Sequence, residues 1–436
     1  MTKKPKTLTD ITNVFHPRAL TEEQEEFYQP TAAVRGGEAS EFHAALLERI
    51  VTSSGKSHLL IVGHGGCGKS TELRMLALKL RKEGRIPIII EARDDLDINN
   101  FSYIDILMLI VERLTKYAHD HNLQINKRII ASFREALSTK LTQEYWESNA
   151  EAGIESSASV SASLPFFFSI VSKITASFKV GTSQKEELRR QFDPKMTEIV
   201  SALNALVDEI NGSFADSNGK KIVIIIDGLE KCRSENAYKL FRDDISSLAA
   251  INTNLIVACP INIYRSPIAN TLQGYFVRPD IMPMIKVHEC DSANTPYEAG
   301  INVIRELILK RVDASFFEEG VLKEIITMAG GSLRDTCHLL AESAFEAHMY
   351  KRETVDMASV EHAMNKFARD LFFRADNKYF ALIKKIFDGD RRARSDADLA
   401  ELLYAGVVFE YNREDWIDLH PLIRQYIEKR PGVLDP

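Results

Sequence analysis

Cysteine is scarce in this chain of 436 residues. Cys67, Cys232, Cys259, Cys290 and Cys337 are scattered and odd in number. No pair has the spacing of a metal knuckle, so neither a disulfide framework nor a zinc site is expected. Long apolar runs are missing as well. None approaches the roughly 20 residues that cross a bilayer, and the Lys-rich residues 1–9 lead into no apolar stretch, so no stable membrane span and no secretory signal are expected. Nor is there a surplus of positive charge. Lys and Arg number 55 against 62 Asp and Glu, a net charge of −7. Binding that tracks nucleic acid or anionic lipid over the whole surface needs a basic face, which this balance does not supply, although a local basic patch is compatible with it. There is no internal repeat. A soluble, cytoplasmic protein is the expectation.

The chain is 45% hydrophobic and 27% charged. This is a globular balance with ample material for a core. At roughly 150 residues per domain, two to four domains are expected. The first 39 residues read as a polar, irregular leader, with Glu22-Glu23-Gln24-Glu25-Glu26 as a solvated face. A helix follows over about 40–53, carrying Phe42, Leu46, Leu47 and Ile50 at helical spacing. Leu59-Leu60-Ile61-Val62 and Ile86-Pro87-Ile88-Ile89-Ile90 read as buried strands, with a helix from Ser70 between them. Two long helices are predicted over about 98–119 and 126–146. Residues 150–183 differ in composition: small residues alternate with apolar ones, and Phe166-Phe167-Phe168 follows. They read as an insertion, a hairpin plus a short helix. Its roles stay open between an edge for self-assembly or effector docking, a membrane-touching element flanked by Lys173 and Lys179, and a flap buried on the core. A helix over about 184–211 leads to strands at 222–226 and 255–259. Residues 292–370 are helical, and the tail adds helices and a strand pair near 407–419. Strands alternating with helices predict a parallel sheet covered on both faces.

Gly63-His64-Gly65-Gly66-Cys67-Gly68-Lys69-Ser70 fits G-x-x-x-x-G-K-[ST] at every fixed position, after a strand and at the head of a helix. In that setting the glycines turn backbone N–H groups inward as an anion cradle, and the helix N-terminus adds partial positive charge. Lys69 is placed to reach β- and γ-phosphates, the Ser70 hydroxyl to bind Mg²⁺, and Thr71 completes the cofactor-binding stretch. The second half of the site is Ile222-Val223-Ile224-Ile225-Ile226-Asp227-Gly228-Leu229-Glu230. An acid closing a buried strand faces the crevice where ligands sit. Asp227 is the candidate Mg²⁺ residue and Glu230 the candidate general base.

These residues resemble the STAND-type P-loop ATPases, near the origin-recognition branch of the AAA+ class. The resemblance runs from about Glu41 to the C-terminus. It implies an α/β fold: a P-loop NTPase parallel sheet of the ASCE/AAA+ type, followed by a helical lid and a winged helix. The boundaries that follow are a leader over 1–39, an ATPase core over 40–290 with the insertion near 150–183, a lid over 291–370 and a winged helix over 371–436. Residues 254–262 look like the sensor 1 strand, with Asn262 as the polar residue near the γ-phosphate. Gly330-Gly331-Ser332-Leu333-Arg334 resembles the sensor 2 motif of the lid, with Arg334 as a catalytic and phosphate-binding arginine; Lys310-Arg311 also fit the lid. Trp416-Ile417-Asp418-Leu419-His420 looks like the last strand of a winged helix, where the family carries a histidine that touches the β-phosphate of ADP. His420 inherits that role, or simply caps its own turn. Arg265 is the candidate arginine finger, and Arg35-Gly36 fall where the family contacts adenine.

The resemblance implies ATP/ADP and Mg²⁺ as cofactors, slow regulatory hydrolysis, and an effector or partner protein in bacterial antiphage defence, with a homo-oligomer possible. The competing reading is an origin-recognition-like ATPase that grips DNA or loads factors on it through its winged helix. Residues 371–436 carry eleven Lys and Arg against twelve Asp and Glu, a net of −1. Asp396, Asp398 and Glu401 head the helix that would enter a groove, and Arg391-Arg392-Arg394 is the only basic cluster nearby. Acids there repel phosphates, so DNA is possible but not favoured.

Overall fold

The computed structural model describes residues 4–36, 42–53, 56–139, 142–145, 164–179, 183–214, 221–232, 234–277, 279–290, 295–392, 396–411 and 416–434. Five strands form the central sheet: β1 (His58–Gly63), β2 (Ile86–Glu91), β3 (Ile222–Asp227), β4 (Asn254–Pro260) and β5 (Asp280–Met282). Their order is β2-β3-β4-β1-β5, and every pairing is parallel. The strands read as unbroken β-branched runs because both faces are covered. Alternate residues divide between two cores. Leu60, Val62, Ile224, Ile226 and Val257 belong to one, and Leu59, Ile61, Val223, Ile225 and Ile256 to the other.

The main helices preceding the lid are α1 (Leu8–Val14), α2 (Phe42–Thr52), α3 (Lys69–Lys82), α4 (Tyr103–Asp120), α5 (Lys127–Ala136), α6 (Leu164–Lys179), α7 (Ser183–Phe192) and α8 (Met196–Gly212). The helix expected to run from 184 to 211 is two helices, because Asp193-Pro194-Lys195 forms a tight turn between them. A proline removes an N–H and clashes with the preceding turn, so an uninterrupted helix is costly there. The helix expected to reach 146 stops at Ala136.

The described part of the insertion is a helix buried on the core, one of the readings left open for it. Residues 146–163, where the hairpin was expected, lie outside the described residues. Phe166 and Phe167 are not part of an edge strand: they begin the sixteen-residue α6, which buries Phe166, Phe167, Ile170, Val171, Ile174 and Phe178 against the core that also holds α4. That spacing is helical, and it spends the apolar side chains internally. At the other margin, β2 is the edge strand of the sheet, and its pairing edge is blunted. Ile86 donates its N–H to Lys221 O on the β3 side. Alternation turns Pro87, Ile89 and Glu91 outward; Pro87 has no N–H, and Asp95 Oδ2 accepts the one from Glu91.

The leader needs correction. Thr7 and Asp10 form a capping box at the start of α1, and Leu8, Ile11, Phe15 and Leu20 are buried. The acidic run faces the basic end of α3, with Glu22 paired to Arg81 and Glu25 to Lys82 at 3.3 Å. Arg74 donates to the carbonyls of Ala19 and Leu20. The segment is therefore a belt that ties α3 to the lid rather than a loose extension.

Beyond β5 come α9 (Glu298–Leu309), α10 (Val321–Met328), α11 (Leu333–Met349) and α12 (Met357–Phe372). They are followed by α13 (Phe380–Phe387), α14 (Ala397–Ala405), the antiparallel ribbon of β6 (Val408–Tyr411) and β7 (Trp416–Leu419), and α15 (Pro421–Glu428). The ribbon does not stand apart from the central sheet. Phe409, Tyr411 and Trp416 share one apolar cluster with Leu59, Ile61 and Leu73, and Met284 pairs with Tyr411.

Candidate functional site

The loop between β1 and α3 has the conformation its sequence predicts. Gly66 and Gly68 sit at φ of +91° and +105°, a region that side chains rarely adopt. Lys69 is 3% exposed, and its ammonium donates to Gly63 O and His64 O, each at 2.8 Å. Ser70 follows at the head of α3, near enough to the Asp227 carboxylate at the end of β3 to favour its charged form. Thr71 Oγ1 accepts the Leu20 N–H at 3.3 Å, so the N-terminal belt touches the loop helix directly. The Cys67 side chain is fully buried. Arg35 supports the loop from behind, donating to Cys67 O at 2.6 Å and to Pro283 O. Its guanidinium is thus committed to backbone carbonyls instead of the adenine contact expected of Arg35-Gly36.

Asp227 and Glu230 face the same region. Burial and then the neighbouring Glu230 charge raise the Asp227 carboxyl above its ordinary range. Burial would raise Glu230 too, but the charges on Lys69, Lys231 and Arg334 outweigh it and hold that carboxyl below its ordinary range. Asp227 Oδ1 and Glu230 Oε2 are buried with no hydrogen-bond partner among the described residues. An orphaned buried carboxylate oxygen is costly. Two of them beside Lys69 and Ser70 fit a hydrated divalent cation and the end of a phosphate chain, with Ser70 and Asp227 as the cation's ligands.

The lid reaches this site through Arg334. Its N–H donates to Gly66 O at 3.3 Å, and its Nη1 lies 2.9 Å from where a Cβ on Gly65 would stand. Ser332 caps α11 by accepting the Asp335 N–H. The glycines before it are required by close packing. A Cβ on Gly331, at φ of +80°, would fall 1.8 Å from Ile285 O. Gly331→Ala is therefore expected to destabilise the fold by about 2–5 kcal/mol, from backbone strain plus overlap, read as a lower guanidinium midpoint.

Three candidate residues are engaged differently from the roles their resemblance implied. Asn262 is 1% exposed and lies near the Tyr238 hydroxyl; its Oδ1 has no partner among the described residues. His420 caps its own helix, with Nδ1 accepting the Leu422 N–H at 3.2 Å, and its Nε2 lies 3.6 Å from Asp335 Oδ2 in the lid. Arg265 is not displayed as a finger. It forms a two-pronged ion pair with the buried Glu410 of β6, including Nε–Oε2 at 2.8 Å. The His64 side chain also turns away from the nucleotide side. Its Nδ1–H donates to Leu403 O at 3.2 Å and its Nε2 accepts the Glu410 N–H at 2.8 Å. Burial and then Lys69 push its pKa down to about 3, so the ring is neutral and fixed in that tautomer. Glu410 had a sequence signal that went unread: it is a lone acid inside Val407-Val408-Phe409-Glu410-Tyr411.

A parallel sheet with one strand between β1 and β3, a phosphate loop after β1 and paired acids after β3 define a P-loop NTPase fold. Residues 40–254 match the KAP family P-loop domain. Among solved structures, the chain is similar to the Aeropyrum pernix ORC2 protein in its ADPNP-ADP complexes (13% identity, 94% of this chain and 97% of that one, TM-score 0.43). It is also similar to the Aeropyrum pernix ORC1 protein in complex with DNA (13%, 96% of each chain, 0.39) and to the Thermotoga maritima RuvB Holliday junction branch migration motor (11%, 95% and 98%, 0.33). All three likenesses are distant. The sequence matches none of the curated proteins compared with it.

Proposed function

We propose that this chain is a nucleotide-controlled switch. It binds ATP with Mg²⁺, hydrolyses it slowly, and repositions its lid and C-terminal module for an effector or partner protein. The observation that carries this reading is the phosphate loop's double attachment. Gly66 is bonded to Arg334 of the lid, and His64 is clasped by Leu403 and Glu410 of the C-terminal module. A triphosphate seated in the loop is linked to the lid through Gly66 and to the C-terminal module through His64. Slow turnover follows from the sequestered Arg265, since an arginine finger supplies much of the rate in fast P-loop enzymes. The resemblance to STAND-type ATPases supports a place in bacterial antiphage defence, in the cytoplasm, with a homo-oligomer as one working form. Among the described residues no helix is long and apolar enough to cross a membrane.

The origin-recognition-like reading requires a groove-binding helix. Here α14 is capped by Asp396, packs on the short helix Ile261–Tyr264, and is tied to the nucleotide domain by the Tyr404 hydroxyl donating to Cys232 O at 3.3 Å. Arg391 is spent on Asp418 and on Cys290 O. Hydrogen exchange of the full chain tests the choice. Protection of α14 and β6 is expected to differ between Mg·ATP and Mg·ADP, and duplex DNA is expected to bind no tighter than about 1 µM at physiological salt. Equal protection in both nucleotide states would sink the switch; tight, salt-dependent DNA binding would revive the initiator.

A further inference from the structure

Each polar group of Glu410 is spent on a different piece of the nucleotide domain. Its N–H donates to the His64 ring in the phosphate loop at 2.8 Å. Its carbonyl accepts the Met284 N–H at 3.0 Å, on the segment that leads from β5 to the lid. Its carboxylate grips Arg265 just beyond β4, and the side chain is 1% exposed. A second link runs through the same histidine. The residue whose ring Glu410 holds is also the residue whose carbonyl, with that of Gly63, holds the Lys69 ammonium. To meet a terminal phosphate, that ammonium must leave those carbonyls.

We propose that Glu410 is a positioning residue for the nucleotide site: its ion pair with Arg265 docks β6 so that its N–H holds the His64 ring and keeps Lys69 on the loop's own carbonyls, and docking of β6 and seating of a nucleoside triphosphate oppose one another. The proposal rests on the loop being a nucleotide site. Coupling is reciprocal, so loosening β6 tightens triphosphate binding, and triphosphate loosens β6. The lock runs through β6, with Leu403 O of α14 on the other ring nitrogen of His64. The Tyr404 hydroxyl fastens the same module to Cys232 O instead of to the phosphate loop, and serves as the comparison.

The experiment is calorimetric titration of the full chain with Mg·ATPγS. Glu410→Gln, which keeps the shape and the backbone bonds but removes the charge from the ion pair, is expected to bind it roughly 5- to 150-fold more tightly than the native chain. Tyr404→Phe is expected to leave the affinity unchanged. Equal or weaker binding by Glu410→Gln overturns the proposal, and so does an equal gain from Tyr404→Phe, which would mean general loosening. Should Glu410→Gln fail to fold, Arg265→Lys takes its place; it keeps the charge, loses the two-pronged fork, and is expected to shift affinity in the same direction by less. No shift with Arg265→Lys then overturns the proposal. A native chain that binds no nucleotide is a different failure, and it removes the site reading itself.

Discussion

Lys69→Ala abolishes nucleotide binding measured by titration calorimetry. The ammonium is buried and donates to two loop carbonyls, Gly63 O and His64 O. Those ammonium–carbonyl bonds are exchanged for bonds between opposite charges when phosphate oxygens arrive. Each charge-assisted bond is worth about 1.5–3 kcal/mol, so losing two weakens binding by roughly 10²–10⁴-fold. The substitution also removes the largest charge that opposes the burial of Glu230, whose carboxyl then drifts upward. Leaving two loop carbonyls without their donor costs stability as well, so the melting curve is recorded in parallel. Lys69→Met, which keeps the buried volume without the charge, removes the cavity part of that cost: it is expected to melt above Lys69→Ala and still fail to bind. Unchanged affinity in either variant would remove the loop from the nucleotide site.

The nucleotide half of the protein was legible because its signals are local. The phosphate loop lies within eight consecutive residues, and β3 announces itself by five β-branched residues that end in an acid. Strands buried on both faces leave no alternation to misread. What failed to show was short or distant. The three-residue β5 has too little sequence to carry a period. In the N-terminal belt, Thr7 and Asp10 offered a capping box and Leu8, Ile11 and Phe15 an apolar stripe, but the surrounding lysines and glutamates dominate the composition. Phe166-Phe167-Phe168 reads equally as strand or helix until the partners α4 and α6 are placed together. The roles of Arg265 and Glu410 are set by an ion pair between residues 145 positions apart, and that of His64 by a bond across 346 positions. No window along the chain contains both members. Resemblance made Arg265 a candidate finger; packing made it an anchor for the C-terminal module.

Glu230→Gln separates binding from chemistry. The glutamine fills the same volume but cannot take a proton from water, so ATP stays bound while turnover falls by roughly 10²–10⁴-fold. Three cations, Lys69, Lys231 and Arg334, keep the native Glu230 ionised in spite of burial, and its orphaned Oε2 leaves a free acceptor for a nucleophilic water. The substitution has a second consequence, which distinguishes a base from a bystander. Burial and the Glu230 charge together raise Asp227. As the pH falls, Asp227 therefore takes up a proton above its ordinary 3.8 and releases its hold on Mg²⁺. With Gln at 230 the repelling charge is gone, so the acid limb of Mg²⁺-dependent ATP binding moves to lower pH. A solvated acid unrelated to the site would move neither quantity. Single-turnover hydrolysis and Mg·ATP titrations over pH 4–7 read both, and turnover at the native rate would place the base on another residue.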